Sequence, residues 1–451
     1  MRRKPDGRNC LPPKNFNLMN SNPFSLSRSL AAFCLFVIFG LSAQKDLVAE
    51  DVIFVSVSQD TPTWTNDGLY TIKPDGSNSA GFFDFSGQPR IKSGRIMGLR
   101  QSLDKKHLYF HSNHAYIYTP ASRNLFRMEL ASRSLDQITP GPNSGEFGKE
   151  GNSAVSGFVR DSAGIGYSGT PVYLEGMGTI NTGGDGAFSF SKVPAGTRWL
   201  VAYNRTLDLF EARVVTIVGG TNATGLNLVP DSNSRMTFQH PVPVGDRVYY
   251  SANGMEVNWT TADFAAPESV YKTKAGICSG IPMVDAFDVS RSGKIVVYDY
   301  QTGCGVGNRD HVGLYTMDKD GGNAQILRDM LNDKEYPQWD DPVLPVQIFW
   351  SPDESKIAMK TSYGGIDHVV VLGADGNVLG YTVADSPTAV ATLHGWSPDG
   401  NWLLFSEYNS DPAQASLGKI GVNDNGSIGA IGILLTNLAI SSACWAEVDP
   451  N

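Results

Sequence analysis

Short runs in which apolar and polar residues alternate recur through most of the chain, divided by turns rich in Pro, Asp, Gly and Asn. A period of two is the pattern of a strand with one buried face. The clearest runs surround a Trp-Ser-Pro-Asp turn: "FWSPDESKIAMKT" from Phe349 and "GWSPDGNWLLFSE" from Gly395. Pro presets φ for such a turn, and Asp or Gly tolerates its second half. A third strand and second turn follow in "LYTIKPDGSN" from Leu69, "LFRMELASRS" from Leu125, "LYTMDKDGGN" from Leu314 and "HVVVLGADGN" from His368. Short runs such as "LDQIT" and "AQILR" end the unit. Each unit therefore predicts four antiparallel strands.

Weaker copies place Ser102, Val242, Ser290 and Ala446 at the position of Ser351 and Ser397. Successive spacings are 140, 48, 61, 46 and 49 residues, and the long first one contains a stretch of different character, residues 151–229. Strand-rich repeats of 40–50 residues predict propeller blades. The last copy, Trp445–Asn451, supplies a first strand and half a turn, whereas "DVIFVSVS" from Asp51 reads as a second strand lacking a first. The expectation is an all-β fold: a six-bladed β-propeller, closed by pairing of the N- and C-terminal strands, which removes exposed sheet edges. Residues 50–150 hold blades 1 and 2, and residues 230–451 hold blades 3 to 6 and the closing strand.

The Trp-Ser-Pro-Asp-Gly turn and the Leu-Tyr-Thr-Met-Asp-Lys-Asp-Gly run resemble the TolB-type propeller, also described as WD40-like (PD40) repeats, across roughly 50–150 and 230–451. The resemblance implies the fold and no single function, because related blades serve binding scaffolds, peptidase propeller domains and polysaccharide lyases. Residues 151–229 read as a small β-sandwich of short alternating runs split by Gly-rich turns. Their order of Gly157-Phe-Val, Pro171-Val-Tyr-Leu, Asp185-Gly186-Ala-Phe188-Ser-Phe190 and Val193-Pro194-Ala-Gly196 resembles the carboxypeptidase regulatory-like (CnaB/transthyretin-like) domain. That resemblance implies an accessory module, often grouped with carbohydrate-binding-like folds, and no catalytic residues.

The one long apolar run, "LAAFCLFVIFGLSA" from Leu30, is too short for a comfortable membrane span of about 20 residues. Basic residues before it and small ones after it read as a secretory signal peptide, residues 1–43; an uncleaved anchor and a start at Met19 are the alternatives. Removing residues 1–43 takes away six basic and one acidic residue and moves the formal charge from −9 to −14. An acidic surface excludes nucleic acid and anionic headgroups as natural partners. The expected location is periplasmic or extracellular, with no membrane span after cleavage. Three cysteines then remain, and Cys278–Cys304 is the expected disulfide with Cys444 left over; three buried thiols are the other reading.

The long loops between second and third strands, and between blades, gather aromatic and acidic residues: Trp64, Trp259, Tyr300, Asp310, Tyr336, Trp339, Asp340 and Asp341. Flat apolar rings beside carboxylates suit sugar rings or peptide segments, although such Trp residues also pack beneath their own loops. Trp350, Trp396 and Trp445 belong to the repeat and are expected between blades. His107, His111 and His114 are too poorly supplied with carboxylates to predict a metal, and His240 and His394 precede repeat turns near the channel. No Gly-x-Ser-x-Gly elbow, phosphate loop or Cys-x-x-Cys pair is present, so neither catalytic residues nor cofactors are expected. The function expected is an exported, non-enzymatic scaffold binding an envelope or extracellular protein or polysaccharide through rim loops and sandwich. A propeller lyase or glycan hydrolase working at the channel with His240 and His394 is the alternative, and a structural envelope protein a third.

Overall fold

The computed structural model describes residues 50–57, 65, 68–86, 91–114, 123–139, 150–204, 206–207, 209–231, 238–252, 256–261, 268–272, 282–301, 312–329, 347–363, 366–382, 390–407 and 416–448. Among them every regular element is a strand, and no helix is long and apolar enough to cross a membrane. The fold is all-β and propeller-like.

The chain opens with β1 (Glu50–Val57), β2 (Gly68–Ile72) and β3 (Ala80–Asp84). A second sheet is β4 (Ile91–Gln101), β5 (His107–His114), β6 (Arg123–Glu129) and β7 (Leu135–Gln137). Then come β8 (Ser153–Val159), β9 (Pro171–Leu174), β10 (Gly178–Asn181), β11 (Ala187–Val193), β12 (Gly196–Asn204), β13 (Leu209–Ile217) and β14 (Ala223–Leu228). The third sheet is β15 (Phe238–Val244), β16 (Arg247–Ala252), β17 (Glu256–Thr261) and β18 (Glu268–Lys272). The fourth is β19 (Pro282–Val289), β20 (Ile295–Gln301), β21 (Val312–Met317) and β22 (Gln325–Asp329). The fifth is β23 (Gln347–Trp350), β24 (Lys356–Tyr363), β25 (Ile366–Gly373) and β26 (Val378–Tyr381). The sixth is β27 (Val390–Trp396), β28 (Trp402–Glu407), β29 (Ser416–Val422) and β30 (Ile428–Thr436). The last strand, β31 (Ile440–Val448), pairs antiparallel with β1, placing Cys444 opposite Phe54 and Trp445 opposite Ile53. It completes the order β31-β1-β2-β3.

These six sheets share one antiparallel order, and each packs on the next through a core of alternating inward residues. Phe54 and Phe85 meet Phe110 and Phe126. Tyr109 and Leu125 meet Phe238 and Tyr250. Tyr249 meets Phe287 and Val297, Tyr298 meets Ile357 and Met359, and Val371 meets Leu403 and Phe405. Leu404 and Leu417 meet Ile53 and Val55, joining the sixth sheet to the first. Each such fully buried side chain contributes about 1.5–3 kcal/mol by leaving water. First strands touch in the order β31, β4, β15, β19, β23, β27 and back to β31.

The Ser-Pro-Asp turn works by side-chain capture. Ser351 Oγ donates to Asp353 Oδ1 at 2.6 Å and accepts the Lys356 N–H, while Asp353 accepts the Ser355 N–H. The same bonds form at Ser102–Asp104 and Ser397–Asp399. At the outer turns, glycine is needed twice over. Gly376 has φ +84, and a Cβ there would lie 2.6 Å from the Leu327 carbonyl oxygen of the preceding sheet; Gly76 stands likewise against Leu434. In the second sheet Arg133 takes this place at φ 58, with its guanidinium over the Phe82 ring at 4.8 Å.

Strands β8–β14 form two further sheets, β10-β9-β12-β13 and β11-β8-β14, with β14 parallel to β8. Their core is separate from the others: Val155, Val172, Leu174, Phe188, Phe190 and Leu200 pack together. Gly157 allows β14 to approach, since a Cβ there would stand 1.8 Å from the Leu226 carbonyl oxygen.

Candidate functional site: two cavities at the convergence of the first strands

Where the six first strands meet, two cavities of about 430 and 260 Å³ follow one another. Every first strand (β4, β15, β19, β23, β27 and β31) lines both. Arg100, Val242 and His394 line both cavities and mark the waist between them.

The larger, outer cavity reaches the Ser-Pro-Asp turns, for Ser102, Ser351, Pro352 and Pro398 are in its wall. Trp350, Trp396 and Trp445 stand around it. They also pack in or against the clusters between sheets, as the repeat predicts. Trp396 Nε1 donates to the Phe349 carbonyl at 3.0 Å, whereas the buried Nε1 atoms of Trp350 and Trp445 make no hydrogen bond. A buried donor without a partner is costly.

At the waist Arg100 crosses from β4 to β19, donating to Asp288 Oδ1 at 3.1 Å with its guanidinium 4.3 Å from the Phe349 ring centre. Asp288 Oδ2 accepts the Trp350 N–H at 2.7 Å. Burial pushes the Asp288 carboxyl above its usual range against the opposing pull of Arg100 and backbone donors. Burial likewise raises the Cys444 thiol to about 12, so the one described cysteine is an inert, free, buried thiol.

His394 is fixed at both ring nitrogens. The Ala443 N–H donates to its Nδ1 at 3.4 Å, which puts the proton on Nε2, and that group donates to Ser406 Oγ at 3.1 Å. Burial and then Arg100 lower its pKa to about 3, so it is neutral. His111 accepts the His240 N–H on Nδ1 at 3.2 Å, and the two rings meet edge to face at 5.3 Å. Gly98, at φ +64, makes room for it, because a Cβ there would lie 2.8 Å from His111 Nδ1. His240 sits at a register shift of β15 with φ 52, and burial, Arg123 and Arg100 hold its pKa at about 4.

The expected aromatic rim is only partly within the described residues. Trp64, Asp310, Tyr336, Trp339, Asp340 and Asp341 lie outside them, as do Cys278 and Cys304. Tyr300 is in β20, paired with Met283 and Val312. Trp259 needs correction: it is not a loop residue but part of β17, opposite Tyr249, half-buried, with the Arg247 guanidinium 4.0 Å over its ring. The run "EVNWTT" alternates strictly, and that pattern, read before its nearness to a loop, places the ring in packing. Of the histidines weighed for metal, His111 faces His240 and His107 lies 3.7 Å from Asp104. Among the described residues no group of three His, Cys, Asp or Glu could hold a metal ion. Sequence reasoning missed Arg100, Asp288 and Arg123, which stand far apart in the chain.

No family model matches the chain, and no curated protein matches it. Among solved structures the chain is similar to one in the nidogen/laminin complex, at 10% identity over 88% of this chain and 98% of that one, with TM-score 0.44. It is also similar to TolB from Acinetobacter baumannii, at 11% identity over 89% of this chain and 67% of that one, with TM-score 0.42.

Proposed function

We propose that the chain is an exported, non-enzymatic binding scaffold: a closed six-bladed propeller with a carboxypeptidase regulatory-like insertion at 151–229, holding a protein or polysaccharide outside the cytoplasm. The apolar segment from Leu30 and the acidic surface support export. The cyclic contacts of the first strands and the pairing of β31 with β1 support closure. Two sheets around a core of their own support an inserted module.

The observation that carries the binding role is the outer cavity. The half-buried Trp445 and three prolines (Pro243, Pro352 and Pro398) give it an apolar part of its wall, beside the charged side chains of Arg100, Lys105 and Glu447. Such a wall suits a sugar ring or extended peptide, whose oxygens the charged groups would bind. The test is binding of the purified protein to extracellular glycans and envelope proteins, with Trp445→Phe and a deletion of 151–229 alongside. Trp445→Phe shortens the apolar wall while keeping an aromatic ring, so weakened binding with unchanged folding is expected. Turnover of any of these substrates without a stable complex would end the reading.

A further inference from the structure

The outermost strands of the six sheets are β3, β7, β18, β22, β26 and β30. An unpaired strand edge is a template for another strand, and proteins blunt such edges by keeping them short or charged. Five of the six follow that rule. β3, β7, β18 and β22 run three to five residues and carry Asp84, Asp136, Glu268 with Lys272, and Arg328 with Asp329, while β26 has four residues. β30 departs from it: its nine residues, "IGAIGILLT", include neither a charge nor a proline. None of the nine is buried, and Ile433 is 45% exposed. Leu434 and Leu435 pack against the cluster shared with the first sheet, and Ile428 and Ile431 against the one shared with the fifth, so both faces have neighbours. The outer edge has none: among the described residues β30 pairs with β29 alone.

We propose that β30 is a dimerisation strand, pairing antiparallel with β30 of a second copy about a two-fold axis at Gly432. The inference goes beyond the cavity binding proposed above and does not depend on it. The strand fits its own reverse. With Gly432 on the axis, Gly429 stands opposite Leu435, Ala430 opposite Leu434, Ile431 opposite Ile433 and Ile428 opposite Thr436. Each leucine meets a residue small enough to leave it room, and no charge meets its like. The bulges obey the same axis. β30 slips against β29 at Leu434 and again at Gly429 and Ala430, and the two-fold lays one slip beside the other, with Ile431, Gly432 and Ile433 in step between them. A strand from another protein need only be apolar, whereas this match of a small half to a large half is the self-complementarity that a two-fold interface demands.

The test is sedimentation of the full chain over a concentration series, with Ile433→Lys alongside. One strand pair makes a small interface, so the expected dimer is weak and reversible. Ile433→Lys puts an ammonium group on the ladder and should raise the dissociation constant at least about tenfold, with an unchanged urea midpoint. Salt should strengthen the dimer, because it screens the repulsion between two chains of formal charge −9 and leaves a neutral ladder intact. Register is read by cysteine, with the unsubstituted chain as the blank for its own thiols. Gly432→Cys should cross-link two copies under mild oxidation, and Ala430→Cys should not, since residues 430 of the two copies would lie about 13 Å apart along the strands. A Cβ at position 432 would meet the Lys419 side chain first, at 3.8 Å, so this variant has room to fold. A monomer at every concentration overturns the proposal and leaves the edge to a strand of another protein. So does an assembly that Ile433→Lys leaves unchanged, a dimer that salt dissolves, or cross-linking through Ala430→Cys in place of Gly432→Cys.

Discussion

Replacing Arg100 by methionine would keep most of the aliphatic volume at the waist while stranding Asp288. That carboxylate is 5% exposed, accepts the Trp350 N–H, and has the Arg100 guanidinium 3.1 Å away. Removing one partner of a buried pair costs about 3–5 kcal/mol. Arg100 is itself a quarter exposed, so the expected loss lies at the lower end, about 3 kcal/mol near neutral pH. The sign with pH follows from burial. Asp288 is already raised in the folded state, and loss of Arg100 raises it further. The folded variant then holds a proton that the unfolded chain has released, so its stability falls as pH rises from about 4, by up to about 1.4 kcal/mol per pH unit, until the folded carboxyl ionises. Adding Asp288→Asn removes the buried charge and should recover all but about 1–2 kcal/mol. Urea unfolding followed by tryptophan fluorescence at several pH values measures both. A cost below about 1 kcal/mol for Arg100→Met, or a deficit equal at acid and alkaline pH, would refute the view that this pair is a desolvated ion pair.

Acid should unfold the protein early: His240 and His394 are held neutral at about 4 and about 3, so stability falls below pH 6.5 by about 2.7 kcal/mol per unit from these two alone. A flat thermal midpoint between pH 6.5 and 4.5 would contradict their burial. Gly376→Ala should cost about 2–3 kcal/mol from its left-handed φ and its contact with Leu327, read as a lower urea midpoint. Deleting 151–229 through a short Gly-Ser linker should leave the six-sheet unit cooperative in calorimetry, because the core around Leu174 and Phe188 contains none of the residues between the six sheets. Leu200→Ala should cost about 2–5 kcal/mol in the sandwich while scarcely moving the other transition.

The strand pattern was legible in the sequence because turn chemistry is local: Ser351, Asp353 and Lys356 close their bonds within six residues. The outer turns were legible for the same reason, although nothing local shows that Gly376 also rests on the neighbouring sheet. The axial site was illegible on opposite grounds. Arg100 and Asp288 are 188 residues apart, and each belongs to a different copy of a repeat whose other copies carry no charge there. His240 and His394 were picked out by residue type, but their difference, one ring without a hydrogen bond among the described residues and the other held at both nitrogens, depends on Ala443 and Ser406. Trp259 was misplaced because nearness to a loop outweighed the alternation around it.

The partnership of β1 with β31 sets a timetable. Ser441 Oγ donates to Ser56 Oγ at 3.0 Å across 385 residues, so the first sheet stays unfinished until the last strand is made. At about 5–20 residues per second that is roughly 20–80 s during which β1 has nothing to pair with on its inner side. Until then that edge of β1 is open to any passing strand, so β31 caps the first sheet as well as completing it.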